Sequence, residues 1–148
     1  MIREKIGKLF VVAVVVFIIS SGCVKEEKKI WTAKEVKDDW VMGENASYFK
    51  SLDSGDILIV EDVIENITPR YNPIANYSVT YINFKSGGYP FTFEGNLSQD
   101  FKVGDKVIIT LHIIEVEKNG YKMESFAESW DAENEKPKPI DRDAIKHA

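Results

Sequence analysis

The stretch "GDKVIITLHIIEVEKNGYKMESFAESW", residues 104–130, decides the fold. Within it Val107, Ile109, Leu111 and Ile113 point one way, and Ile108, Thr110, His112 and Ile114 the other. Successive side chains on a strand face opposite sides, so alternation over this length is the period of a half-buried strand. Asn119-Gly120 then breaks the pattern. Both residues tolerate the positive φ that a two-residue turn demands, so the stretch reads as one β-hairpin.

The same period continues upstream. "GDILIVEDVIENI" (55–67) opens on a turn pair and runs into β-branched residues, as a long, partly bent strand would. After the loop "TPRYNPIAN" (68–76), "YSVTYINF" (77–84) alternates Tyr77, Val79 and Tyr81 against Ser78, Thr80 and Ile82. "SGG" (86–88) turns the chain into "YPFTFEG" (89–95), with Tyr89, Phe91 and Phe93 on one face and Pro90 suited to a sheet edge. The link "NLSQDFKVGD" (96–105) is too short for more than a helical turn. This strand order predicts a mainly β fold, a small five-stranded OB-like barrel whose closure removes the exposed edges of an open sheet.

Before the strands, Thr32 and Glu35 stand in capping-box register, with Ala33, Val36 and Trp40 at helical spacing and Gly43 as a stop. That predicts a short N-terminal helix from Ala33 to Val41, with Trp40 plugging the core. From Asp131 the chain is charged and broken by proline, so residues 131–148 are expected as a tail on or off the surface, with room for one helical turn near Ala144. The motifs "TAKEV" (32–36), "GDILIVEDVI" (55–64), "GDKVIITLHI" (104–113) and "ESFAESW" (124–130) resemble a group of uncharacterised archaeal-type surface lipoproteins with an OB-fold-like β-barrel domain. The resemblance covers Trp31 to Trp130 and implies fold and compartment rather than mechanism.

The amino terminus bears on the compartment directly. Arg3, Lys5 and Lys8 precede "LFVVAVVVFII" (9–19), a run shorter than the roughly 20 apolar residues of a membrane span. A basic start, a short apolar core and small residues after it describe a signal peptide over residues 1–22. "SSGC" (20–23) resembles a lipobox, with Ser20 where that motif usually carries Leu, so Cys23 is the expected lipid-attachment site. Cys23 is the only cysteine, which removes an internal disulfide, and no histidine is paired with it for catalysis. An ordinary signal peptide cut nearby, with Cys23 incidental, is the competing reading. Residues 23–30 would form a charged tether, residues 31–130 the domain. The expected localisation is extracytoplasmic, on the outer face of the cell membrane.

Removing residues 1–22 moves the formal charge from −5 to −7. An acidic chain is a poor partner for nucleic acid, which rewards clustered Lys and Arg. Four Asn-X-Ser/Thr triplets, at Asn45, Asn66, Asn76 and Asn96, are more than eight asparagines would give by chance and are candidate N-glycosylation sites. No catalytic constellation stands out: His112 lies mid-strand, His147 lies in the tail, and no phosphate loop or nucleophile elbow occurs. "EDVIE" (Glu61, Asp62, Glu65) and "DAENE" (Asp131, Glu133, Glu135) lack a Ca²⁺-loop pattern and read as solvated carboxylates, so neither metal nor cofactor is expected. The candidate ligand face is Tyr77 and Tyr81. Two functions stay open: a non-catalytic module binding carbohydrate, peptide or protein at the cell surface, and a structural or accessory subunit of an envelope complex. The lipid reading predicts that Cys23→Ser releases the protein from the membrane fraction on cell fractionation; retention would contradict it.

Overall fold

In a computed structural model of the chain, residues 30–148 are described. The expected signal peptide, Cys23 and the Val24–Lys29 run lie outside them. Among the described residues the fold is mainly β with one short helix: 52% is strand against 11% helix, in line with the period-2 patterning.

Helix α1 (Ala33–Asp39) starts on the expected capping box. The Thr32 N–H donates to Glu35 Oε2 (2.8 Å) and the Glu35 N–H to Thr32 Oγ1 (3.3 Å). The helix ends earlier than Val41. Trp40 is extended, and β1 (Trp40–Met42) pairs with β2 (Ser47–Phe49). The β-prone Trp-Val-Met run thereby sets Trp40 edge-on to Phe49, ring centroids 4.6 Å apart. Trp40 is half-buried rather than a full core plug.

Strand β3 (Ile57–Asn72) bends at an irregularity between Ile64 and Asn66 and so serves two partners. Its first half pairs with β6 (Lys106–Lys118), its second with β4 (Tyr77–Phe84), which in turn pairs with β5 (Phe91–Glu94). The inward face of β6 is the expected one, with Val107, Ile109, Leu111 and Ile113 buried. Leu58, Val60 and Ile64 of β3, Ile82 and Phe84 of β4 and Phe93 of β5 meet them. The β6–β7 hairpin, with β7 spanning Tyr121–Phe126, turns at Asn119 (φ 53°) and Gly120 (φ 82°) with Lys118 opposite Tyr121. Those positive φ values are what the Asn-Gly pair supplies.

Two observations differ from expectation. The hydrogen-bonded sheets do not close into a barrel. Strand β7, counted as the fifth barrel strand, pairs with β6 alone. The carboxyl-terminal segment is also not a surface tail. It carries a small ladder, β8 (Trp130–Asp131) with β9 (Lys136–Pro137), and then passes along the free edge of β5. There Ile140 N–H donates to Thr92 O and Glu94 N–H to Ile140 O, both at 2.8 Å, a parallel bridge between Phe93 and Ile140. After a 3₁₀ turn at Arg142–Ala144, β10 (Ile145–His147) pairs antiparallel with β6. Ile140, Ala144 and Ile145 are buried in the main core although charged residues surround them in sequence. The apolar side chains are spaced by the turn rather than by a strand period, which hid them. Truncating Ile140 to Ala should cost about 3 kcal/mol in urea unfolding, the range for a buried branched side chain. A surface tail would lose under about 0.5 kcal/mol.

Candidate functional site

The site begins with a carboxylate on the wrong face of a strand. Asp62 follows Leu58 and Val60 in the inward register of β3 and is 8% exposed, not the solvated acid that "EDVIE" suggested. It accepts the Ala33 N–H (3.0 Å), the Val63 N–H (2.8 Å) and the Ser86 hydroxyl. Ser86 Oγ in turn accepts the Lys34 N–H (3.1 Å). Together with the Thr32 cap, the first N–H groups of α1 are all satisfied, by groups that also hold β3 and the 85–88 turn. Gly88 lets that turn come close: its φ is +97°, and a Cβ there would sit 3.2 Å from the Ala33 carbonyl oxygen.

This clamp sets Tyr89 and Pro90 beside α1 and opens a groove of about 290 Å³. One wall is Val36 and Lys37 of α1 with Trp40 of β1; the other is Tyr89, Phe91 and Thr92. Phe126 and Ser129 after the hairpin, with Lys138 and Ile140 of the carboxyl-terminal segment, complete it. The aromatic walls are buttressed from behind. Trp40 packs on Phe49 and lies 5.8 Å from Phe126, and Phe91 meets Phe84 edge-on at 5.4 Å. The only charged side chains in the lining are the two lysines. Lys37 Nζ sits 4.7 Å over the Tyr89 ring. Lys138 Nζ is 2.5 Å from Asp141 Oδ1, and that hydrogen bond raises the lysine above its ordinary range. Lys138 therefore stays charged through neutral pH, and its pairing is lost only as strongly alkaline pH removes the proton.

Tyr77 and Tyr81, expected as the ligand face, lie outside this groove. They lie on the outward register of β4, each 38% exposed. Burial, then the nearby Glu94 charge, pushes the Tyr77 hydroxyl up. Asn45, Asn66, Asn76 and Asn96 are all exposed, with Asn66 and Asn76 on the β3–β4 ribbon. His112 is exposed and paired with Glu128, which also accepts the His112 N–H at 2.9 Å. Among the described residues no group of three His, Cys, Asp or Glu could hold a metal ion, and no helix is long and apolar enough to cross a membrane. Sequence reasoning missed the groove because its walls come from four separated segments. The sole hint was Tyr89-x-Phe91-x-Phe93, read as one face: Phe93 is fully buried, Phe91 partly, and Tyr89 is exposed at the groove mouth.

Comparison with known protein families, curated proteins and solved structures finds no match. The clamp makes a direct prediction. Asp62→Ala leaves the Ala33 N–H and the Ser86 hydroxyl without their acceptor and should cost about 3 kcal/mol, with the thermal midpoint falling by roughly 10 °C. Asp62→Asn, which keeps one acceptor oxygen, should lose less than Asp62→Ala in the same calorimetric measurement.

Proposed function

We propose that this chain is a non-catalytic binding module, held at the outer face of the cell membrane by lipid on Cys23, whose groove takes a saccharide. The observation that carries the reading is the groove itself, lined by Trp40, Tyr89, Phe91 and Phe126 with lysines as its only charged lining residues. Apolar pockets with a few convergent polar groups are the usual form of a small-ligand site. Flat rings of Trp40 and Tyr89 suit the apolar face of a sugar ring, and the Thr92 and Ser129 hydroxyls suit its polar rim. Lys37 favours an acidic sugar over a neutral one, while Lys138 is already paired with Asp141. A volume of 290 Å³ accommodates a small ligand or one unit of a longer chain.

The scaffold we propose is an OB-like barrel of the partly open kind, with the carboxyl-terminal segment in the fifth strand's place. Support comes from the connectivity: β3 pairs with β4 and β6, β4 with β5, and residues 140–147 touch β5 at one end and β6 at the other. The aromatics exposed outside the core favour this module over a purely structural envelope subunit.

Screening the full-length, detergent-solubilised protein on a glycan array that includes uronic-acid saccharides tests the reading. Binding should fall about tenfold or more in Trp40→Ala, the scale of losing one central aromatic contact. Lys37→Glu, which removes the cation over the Tyr89 ring and reverses the charge at the groove, should weaken acidic saccharides more than neutral ones. An array without hits, or hits indifferent to both variants, would remove the groove as the site.

A further inference from the structure

The second half of β3 pairs with β4, and the far end of that ribbon, residues 69–78, runs past β5 and the core to a turn at Pro73–Asn76. From Asn66 to Phe84 the ribbon has one charged side chain, Arg70, in a chain where 29% of residues are charged. The contrast is sharper within the described residues. Residues 30–148 carry 13 basic and 21 acidic side chains, a formal charge of −8, while the ribbon carries +1.

The tip is apolar yet ordered. Ile74 is 96% exposed, Tyr71 61% and Tyr77 38%. Asn72 Oδ1 accepts the N–H groups of Ile74 (3.0 Å) and Ala75 (3.2 Å), and the Tyr71 hydroxyl donates to Asn76 Oδ1 (2.9 Å). Residues directly opposite in an antiparallel pair share a face. Tyr71 stands opposite Ser78 and Tyr77 opposite Asn72, so the two tyrosines flank the tip on opposite faces with Ile74 at its end.

We propose that this tip is a second membrane contact, seated in the headgroup region of an anionic bilayer. A protein partner covers one side of a ribbon; an interface that surrounds the tip suits apolar residues on both sides and at the end. Tyrosine is enriched at that depth, where its ring is apolar and its hydroxyl wet. Arg70, opposite Val79 and two pairs back from the turn, suits a headgroup phosphate; the carboxylate on its cross-strand row is Glu94 of β5, one strand beyond Val79. So small an apolar surface holds weakly by itself. The inference therefore rests on the anchored reading above, with the tip as the second signal that fixes how the domain lies on the membrane.

The test uses the full-length, membrane-extracted protein reconstituted in mixed phosphatidylcholine and phosphatidylglycerol vesicles. Ile74→Cys and, as a control, Val103→Cys, exposed on the loop before β6, each carry an environment-sensitive fluorophore. The probe at residue 74 should shift to the blue and be quenched by brominated lipid, while the probe at 103 stays water-like. Arg70→Glu should reduce the response at residue 74 severalfold. A water-like probe at 74 on protein that floats with the vesicles overturns the tip and leaves the anchor standing. Protein that does not float overturns both, and a glycan on Asn76 of the native protein overturns the tip alone.

Discussion

The structure depends on one buried carboxylate. Asp62 sits in the inward register of β3 and is satisfied there by two backbone N–H groups and a hydroxyl. A buried acid without such partners would be heavily penalised, so the position demands that α1 and the 85–88 turn both be present. Neither is sturdy alone. A seven-residue helix is far below the length that is stable in isolation, and a turn with two positive-φ glycines is otherwise free to move. The interaction that satisfies Asp62 is thus also the one that orders the two walls of the groove. Stability and site geometry share a cause.

The carboxyl-terminal segment supplies the second constraint. Strand β5 is only four residues long, and one of its edges would be open without Ile140. By bridging β5 and then pairing with β6, residues 140–147 join the two ends of the strand path while a 3₁₀ turn interrupts the ladder. That interruption leaves the sheets unclosed. It also aims Lys138 and Ile140 at the groove, so the same segment covers an edge and completes a wall.

Legibility in the sequence followed the range of the interactions. Alternation in Val107–Ile113 and the Asn119-Gly120 turn were readable because strand period and turn chemistry are local, and the Thr32–Glu35 cap was readable for the same reason. The early end of α1 was not, since Trp40 leaves the helix to meet Phe49, a contact made across an intervening turn. Asp62 was misread because charge composition argues for solvent, whereas its partners lie 24 and 29 residues away. Ile140 and Ile145 were hidden by charged neighbours and by a spacing that matches neither helix nor strand. The groove was the least legible feature, because each contributing segment is unremarkable until the others are beside it.

The distribution of charge ties the proposed roles together. The described residues have a large excess of carboxylates, yet the groove lining contains none and the ribbon contains none. Elsewhere carboxylates outnumber basic side chains, so an anionic ligand or lipid surface meets a net like charge, which costs association energy and slows encounter. At these two places it meets Lys37, which lies over the Tyr89 ring, or Arg70, the neighbour of Tyr71 in sequence. On the proposed reading the acidic remainder does not bind; it restricts orientation, so that the ribbon is the end directed to the membrane. The β3–β4 pairing that carries the tip is continuous with the inward half of β3 that holds Asp62. A domain seated by its ribbon is therefore seated by the same strand whose Asp62 clamps the two walls of the groove.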